Sequence, residues 1–346
     1  MKRFFVVLVL LLLIGAGYGA WALFRPIEPV EARIDITQCR KLTLTDAETG
    51  EEISGIEDIA RLPGGILILS AHDRLDPEEP DGGVYQLPYE GVSETEVALS
   101  SIIDPADTGG SLRPHGIALS PRSDRLGLIN RGRGGVFSVD IFKKQAEGWV
   151  PFDRRVEERY CRANDLDFSR TMKDRVIVSI DRQSCGLSFH DMLGFFPTGA
   201  IEMFEPGVPS DEPFLMRGQY YPNGITDTWI AETRADRMSN PIMRRGSLIG
   251  PINLPGGPDN ITRLDPRTAL VALHPSLIQL AAYRFGWTDK APSRIAQVGL
   301  QDGSVEVLFD DPEGAVFSGA TVAMRSDARL VMGSVREPGL MVCEGL

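Results

Sequence analysis

The stretch GIEDIARLPGGILILS, residues 55–70, sets two short apolar segments either side of Pro63-Gly64-Gly65. That pattern predicts a strand, a tight turn and a second strand. Its oddity is the pair Glu57-Asp58 at the head of the first strand. Two adjacent carboxylates at a buried strand end repel each other and resist desolvation, so they require water or a positive partner.

The same outline returns along the chain. It begins again at PHGIALSPRSDRLGLIN (114–130), NDLDFSRTMKDRVIVSI (164–180), PNGITDTWIAET (222–233), PDNITRLDPRTALVALHP (258–275) and SGATVAMRSDARLVMGSV (318–335). Six copies with a mean period of about 50 residues, each holding several strands, are the pattern of a β-propeller. Long helical periodicity is absent, and one short helix is expected near Phe189–Phe196. The expected class is therefore all-β: a six-bladed β-propeller behind an N-terminal hydrophobic segment.

In a propeller the innermost strands line the axis, so residues heading them converge at the channel mouth. The heads are Glu57-Asp58, His115, Asn164-Asp165, Asn223, Asp259-Asn260 and Ser318-Gly319. A lone Asp or Asn before a strand is more often a turn former, because its side chain caps local backbone. Oxygen or imidazole at five equivalent positions is harder to explain that way. A ring of carboxylates and amide carbonyls suits a hard divalent cation, and calcium tolerates its irregular geometry best.

The chain has 346 residues and a formal net charge of −12, and no basic run follows the N-terminus. Nucleic-acid binding, which needs a positive footprint, is set aside. Lys2 and Arg3 precede a run from Phe4 to Phe24 without a charged residue. Such a run is long enough to cross a bilayer with its basic head in the cytoplasm. Residues 1–29 read as a signal anchor and short linker, and 30–346 as one exported propeller domain tethered through residues 4–24. A cleaved signal peptide ending near Ala20-Trp21-Ala22, giving a secreted domain, is the other reading.

Four cysteines in an exported chain favour disulfides. Cys39 and Cys343 lie near the two ends of the domain, and a bond between them would close it on itself. Cys161 and Cys185 would form the second pair. Free buried thiols are the alternative. No zinc spacing, G-x-S-x-G elbow, H-E-x-x-H helix, P-loop or contiguous EF-hand loop occurs.

The segments GIEDI, PHGIAL, ANDLDF, PNGIT, DNIT, LHP and the closing MVCEGL resemble, in order, the marker segments of the serum paraoxonase/arylesterase family. The resemblance runs from about Cys39 to Cys343. It implies a six-bladed propeller with two calcium ions in its tunnel, one catalytic and one structural. By motif, Glu57, Asn164, Asn223, Asp259 and Asn260 would hold the first. Asp58, Asp165 and the carbonyl of Ile117 would hold the second, so each member of the acidic pair would serve a different ion. The family's terminal disulfide falls on Cys39 and Cys343.

The resemblance also implies hydrolysis of small-molecule carboxylic esters, with lactones and aryl esters as substrates. His115 is the candidate base for the attacking water, and Glu57 is the other possible one, weakened as a base if it is bound to calcium. His274, in the LHP segment, is a possible pocket residue, and a packed imidazole is the plainer alternative. The sequence departs from the family where a second histidine is expected in the strand after PHGI. Asn130 and Arg131 stand there, and Arg131 does not release a proton at ordinary pH. Two rival functions stay open: a non-catalytic, calcium-stabilised propeller that binds a ligand or partner, and an enzyme of the gluconolactonase or strictosidine-synthase-like groups.

Overall fold

A computed structural model describes residues 15, 17–19, 21–74, 81–172, 175–182, 184–186, 196–208, 214–240 and 249–346. Its strands form six sheets arranged as the blades of a propeller. Blade 1 is Ile56–Leu62, Ile66–Ala71 and Gly83–Pro88; blade 2 is Pro114–Leu119, Arg125–Arg131, Phe137–Gln145 and Gly148–Val156. Blade 3 is Ala163–Phe168, Val176–Ile180, Gly199–Phe204 and Phe214–Gln219. Blade 4 is Pro222–Thr226, Trp229–Glu232, Arg237–Ser239 and Ile252–Asn253; blade 5 is Gly257–Arg263, Thr268–His274, Ser293–Gly299 and Val305–Asp311. Blade 6 is Ala320–Ser326, Arg329–Ser334 and Leu340–Glu344. Each repeat read in the sequence covers the first two strands of one blade.

The hairpin between those two strands explains the punctuation at its turn. Gly65, Ser123, Asp227 and Asp327 all have positive φ there, a conformation that Gly, Asn and Asp reach at least cost. The strands themselves are buried on both faces, as in VIVSI (176–180) and TALVALH (268–274). They read as apolar runs because adjacent blades pack face to face and leave no wet side. Leu67, Leu69, Leu87, Val322 and Val331 lie in one such inter-blade core, Val139, Val178 and Ile180 in another.

Ring closure uses both ends of the domain. Cys39–Asp46 pairs antiparallel with Leu340–Glu344 as the fourth strand of blade 6, and Glu96–Leu99 then adds in parallel. Cys39 sits opposite Cys343 in this register, and the two are disulfide-bonded across 304 residues of sequence. Cys161 and Cys185 are bonded as well. Paired cysteines of this kind belong to an oxidising, extracytoplasmic compartment. The segment before the first strand touches the propeller: Gln279 Nε2 donates to the Arg25 carbonyl at 2.9 Å, Arg294 Nη2 to the Glu28 carbonyl at 3.3 Å, and Val30 N–H to Asp310 Oδ2 at 2.7 Å.

Most of the apolar run 4–24 lies outside the described residues, and among those described no helix is long and apolar enough to cross a membrane. Most of the helix expected at Phe189–Phe196 also lies outside them. An eight-residue helix that the sequence reading did not anticipate, Leu277–Arg284, connects the second and third strands of blade 5 and starts on a Ser276 cap.

Candidate functional site

Each innermost strand breaks register with its neighbour at one point near its start. The six breaks fall between Ile56 and Asp58, Pro114 and Ile117, Ala163 and Leu166, Pro222 and Ile225, Pro258 and Ile261, and Ala320 and Val322. A bulge adds a residue, bends the strand and re-aims side chains. Glu57, His115, Asn164-Asp165, Asn223, Asp259-Asn260 and Thr321 occupy these bulges, and every one is buried. The sequence reading placed the sixth head at Ser318-Gly319. The structure moves it to Thr321, whose hydroxyl donates to the Glu57 carbonyl at 3.0 Å, while Ser318 closes a local turn onto Gly314.

Glycine lets the ring contract. A Cβ on Gly116 would sit 2.7 Å from the Asn164 carbonyl, and one on Gly224 2.4 Å from the Asp259 carbonyl. The H-G-I and N-G-I steps are therefore where one blade's backbone touches the next blade's head. Hydroxyls on the second strands lock the contact: Ser70 donates to the His115 carbonyl and Ser179 to the Asn223 carbonyl. Asn260 Nδ2 reaches the Glu57 carbonyl at 2.7 Å, joining blades 5 and 1.

The acidic pair divides here. Asp58 accepts from Ile59 N–H at 2.8 Å and, across the blade boundary, from Ile117 N–H at 2.9 Å. Asp165 repeats the arrangement with Leu166 N–H at 2.7 Å and Ile225 N–H at 2.8 Å. Burial pushes the Asp58 carboxyl up to about 7, opposed by its two N–H donors and reinforced by the charges of Glu57 and Asp259. Burial and the neighbouring Asp58 charge push Asp165 well above the usual carboxylate range. Ile117, expected to offer its carbonyl, contributes its N–H to Asp58. Beyond this layer the channel opens into a cavity of ≈ 180 Å³ lined by Asp58, Ile117, Asp165, Asp167, Ile225 and Arg263 among others.

Glu57 faces side chains instead. Arg74 Nη1 lies 2.5 Å from Glu57 Oε2, and Arg74 Nη2 lies 2.5 Å from His115 Nδ1. Burial would raise the Glu57 carboxyl, but the guanidiniums of Arg74, Arg284 and Arg131 outweigh it and hold the group below its ordinary value. A guanidinium only donates, so His115 Nδ1 accepts and the ring proton is assigned to Nε2. Burial, with the charges of Arg131, Arg74 and Arg284, keeps His115 neutral by lowering its pKa well below the ordinary value.

His274 has the opposite polarity. Its Nε2 lies 2.6 Å from Asp259 Oδ2. With Nε2–H donated to the carboxylate, Nδ1 carries the lone pair, and it has no hydrogen-bond partner. Burial raises Asp259, and the His274 hydrogen bond opposes that rise.

Four ring atoms are thus buried and unpartnered: Asn223 Oδ1, Asp259 Oδ1, His115 Nε2 and His274 Nδ1. Unpaired buried polar atoms are costly and mark places where something else binds. The two oxygens, with Glu57, Asn164 and Asn260 around them, form a donor set of carboxylates and amides that fits a hard cation. Among the described residues no three His, Cys, Asp or Glu side chains converge into a metal cluster, so the amides are indispensable to any such site. Arg74 and Arg284 are site residues that the sequence reading did not name. They lie after a second strand and at a helix end, away from the repeated heads.

No protein-family model matches the chain, and no curated protein sequence matches it. Solved structures do. A gluconolactonase of Xanthomonas campestris aligns at 15% identity and a TM-score of 0.51, over 93% of this chain and 99% of that one. A luciferin-regenerating enzyme aligns at 13% and 0.50, over 92% and 96%. A glucose dehydrogenase aligns at 11% and 0.51, over 89% and 99%. At these identities the likeness is one of fold, and three different activities sit on it. The resemblance to serum paraoxonases rests on the short motifs alone.

Proposed function

We propose that the protein is a calcium-dependent hydrolase of lactones and related carboxylic esters, working at the channel mouth. The observation that carries this is a set of buried, unpartnered atoms at and beside the bulges: the Asn223 and Asp259 oxygens and two imidazoles of opposite polarity, His115 on a bulge and His274 at the end of the second strand of blade 5. The gluconolactonase among the similar structures adds support at the level of the lactone class.

Glu57, Asn164, Asn223, Asp259 and Asn260 would hold the ion of the upper layer; Asp58 and Asp165 would hold a second, structural one. When bound, the upper ion would supply polarisation of the ester carbonyl. Asp259 orients His274 through Nε2, leaving Nδ1 to take a proton from water as its oxygen attacks the carbonyl carbon. His115 Nε2–H donates to the oxygen on which negative charge develops. The proton on His274 then passes to the departing alkoxide as the acyl C–O bond breaks. His115 was the base expected from the sequence; the Arg74 contact on Nδ1 is why we assign it the donor role. The hydrophobic run 4–24 would tether the domain to the outer face of a membrane.

A panel of lactones and aryl esters, assayed after chelation and again after calcium is restored, tests the proposal. Hydrolysis that disappears and returns with calcium is expected. Calcium-dependent stabilisation without hydrolysis of any panel member would favour the ligand-binding propeller, a reading to which Arg74 capping both Glu57 and His115 also lends weight.

A further inference from the structure

Glu57 already has a cation. Arg74 Nη1 donates to its Oε2 at 2.5 Å, and both side chains are largely buried. The same guanidinium reaches His115 Nδ1 through Nη2 at 2.5 Å, and that nitrogen lies 3.5 Å from Glu57 Oε1. Arg74 stands three residues past the end of the strand Ile66–Ala71, on irregular backbone. Among the described residues its hydrogen bonds are these two, so its head alone clamps it to the ring. The inner layer is built otherwise. Asp58 and Asp165 accept from backbone N–H groups, and among the described residues no cationic side chain pairs with either. A carboxylate oxygen that accepts from a guanidinium has lone-pair density engaged. A divalent ion on the same carboxylate also meets the arginine's charge, which a buried site leaves poorly screened.

We infer that Arg74 competes with calcium for Glu57 and so sets the affinity of the upper metal site. The upper ion enters when Nη1 lets go of Oε2. Only that contact has to break; Nη2 stays on His115 Nδ1, and the ring keeps the tautomer assigned to it. The form with Glu57 released is the binding-competent one, and apparent calcium affinity is reduced by its fractional population. Before calcium arrives, the guanidinium keeps a buried carboxylate from standing uncompensated, which would be strongly destabilising. The two layers therefore take calcium unequally, because no side-chain cation has to leave Asp58 or Asp165. The inference rests on the two-ion reading proposed above, but calcium binding is measured without catalysis.

Calcium chloride is titrated by calorimetry into the full chain, stripped with a chelator that gel filtration then removes. Wild type, Arg74→Met and Arg74→Lys are compared, and each is melted with and without calcium. Wild type should bind in two steps of unequal affinity. Arg74→Met should tighten the weaker step at least about tenfold and leave the tighter one unchanged. Arg74→Lys, which keeps the charge but loses the fork, should fall between. Without calcium, Arg74→Met should melt below wild type, and calcium should raise its melting temperature by more than it raises that of wild type. A merely structural arginine would give the lower melting temperature with calcium binding unchanged or weakened, and that result overturns the inference. If Arg74→Met does not fold without calcium, Arg74→Lys decides: binding no tighter than wild type overturns it. Absence of calcium binding in all three chains overturns the inference and the calcium reading together. Unchanged calcium binding in both variants, beside calcium-dependent lactone hydrolysis, sinks the inference and leaves the hydrolase reading standing. Tightened binding in Arg74→Met without hydrolysis of any lactone does the reverse.

Discussion

Glu57 and Asp58 are adjacent and equally buried, yet they belong to different structures. Asp58 is held by backbone: two N–H groups, one from its own blade and one from the next, fix both carboxylate oxygens. Asp165 does the same between blades 3 and 4. Glu57 is held by side chains, Arg74 above all, and it meets the imidazole of His115. Backbone donors cannot be withdrawn without opening the propeller, whereas a guanidinium on a loop can move when substrate or metal arrives. The carboxylates of Asp58 and Asp165 therefore join blades, whereas Glu57 belongs to the layer proposed to react. Their titration differs in the same sense: Asp58 is pushed up to about 7 and Glu57 is held below its ordinary value.

Removing the unpartnered nitrogen in the outer layer should have the largest effect. His274→Gln should lower kcat by roughly 10²–10⁴-fold, the span typical of a lost general base, with the melting temperature little changed. His115→Gln should cost less, on the order of 10²-fold, because an amide N–H can still donate. If His115→Gln costs more in kcat than His274→Gln, the two imidazoles have exchanged roles.

The inner layer should respond in stability instead. Asp58→Ala strands Ile117 N–H and Ile59 N–H, and should destabilise by about 1–3 kcal/mol or more, given the charge involved. Glu57→Ala should melt within a few degrees of wild type while losing activity. Equal melting temperatures for the two variants would erase the distinction between the layers.

Much of this was legible in the sequence, and for a clear reason. A strand buried on both faces is an apolar run, and a tight hairpin needs Gly, Ser or Asp at its turn, so six strand–turn–strand copies stood out. The heads were legible where they carried Glu, Asp, Asn or His. Blade 6 was misread by a few residues because Thr321 looks like any strand threonine, and the bulge that places it leaves no mark in composition. Arg74 and Arg284 were invisible because they reach the ring from outside the repeat. Arg131 was noticed as a missing histidine, but its contact with the Ala163 carbonyl of the next blade shows only in the fold. The closing strand was anticipated only through Cys39, since its pairing with Leu340–Glu344 spans the whole domain.

The central claim is that Asp58 and Asp165 form a layer that binds blades at the cost of buried charge. Thermal melts of the chelated and calcium-restored protein between pH 4 and pH 8 test it most directly. The folded Asp58 value, about 7, lies above its unfolded value, and Asp165, Asp140 and Asp167 are raised as well. The unfolded chain therefore releases these protons first; the depressed His72 and His115 act the other way below about 6.5, two groups against four, so on balance stability falls as pH rises from about 4 to about 7. The account predicts that fall in the chelated protein and a shallower one when calcium is restored, since a bound cation favours the ionised Asp58 and Asp165 while Asp140 and Asp167 lie outside the proposed ligand set. A chelated protein whose stability is flat or rising across that range, with calcium making no difference, would contradict it.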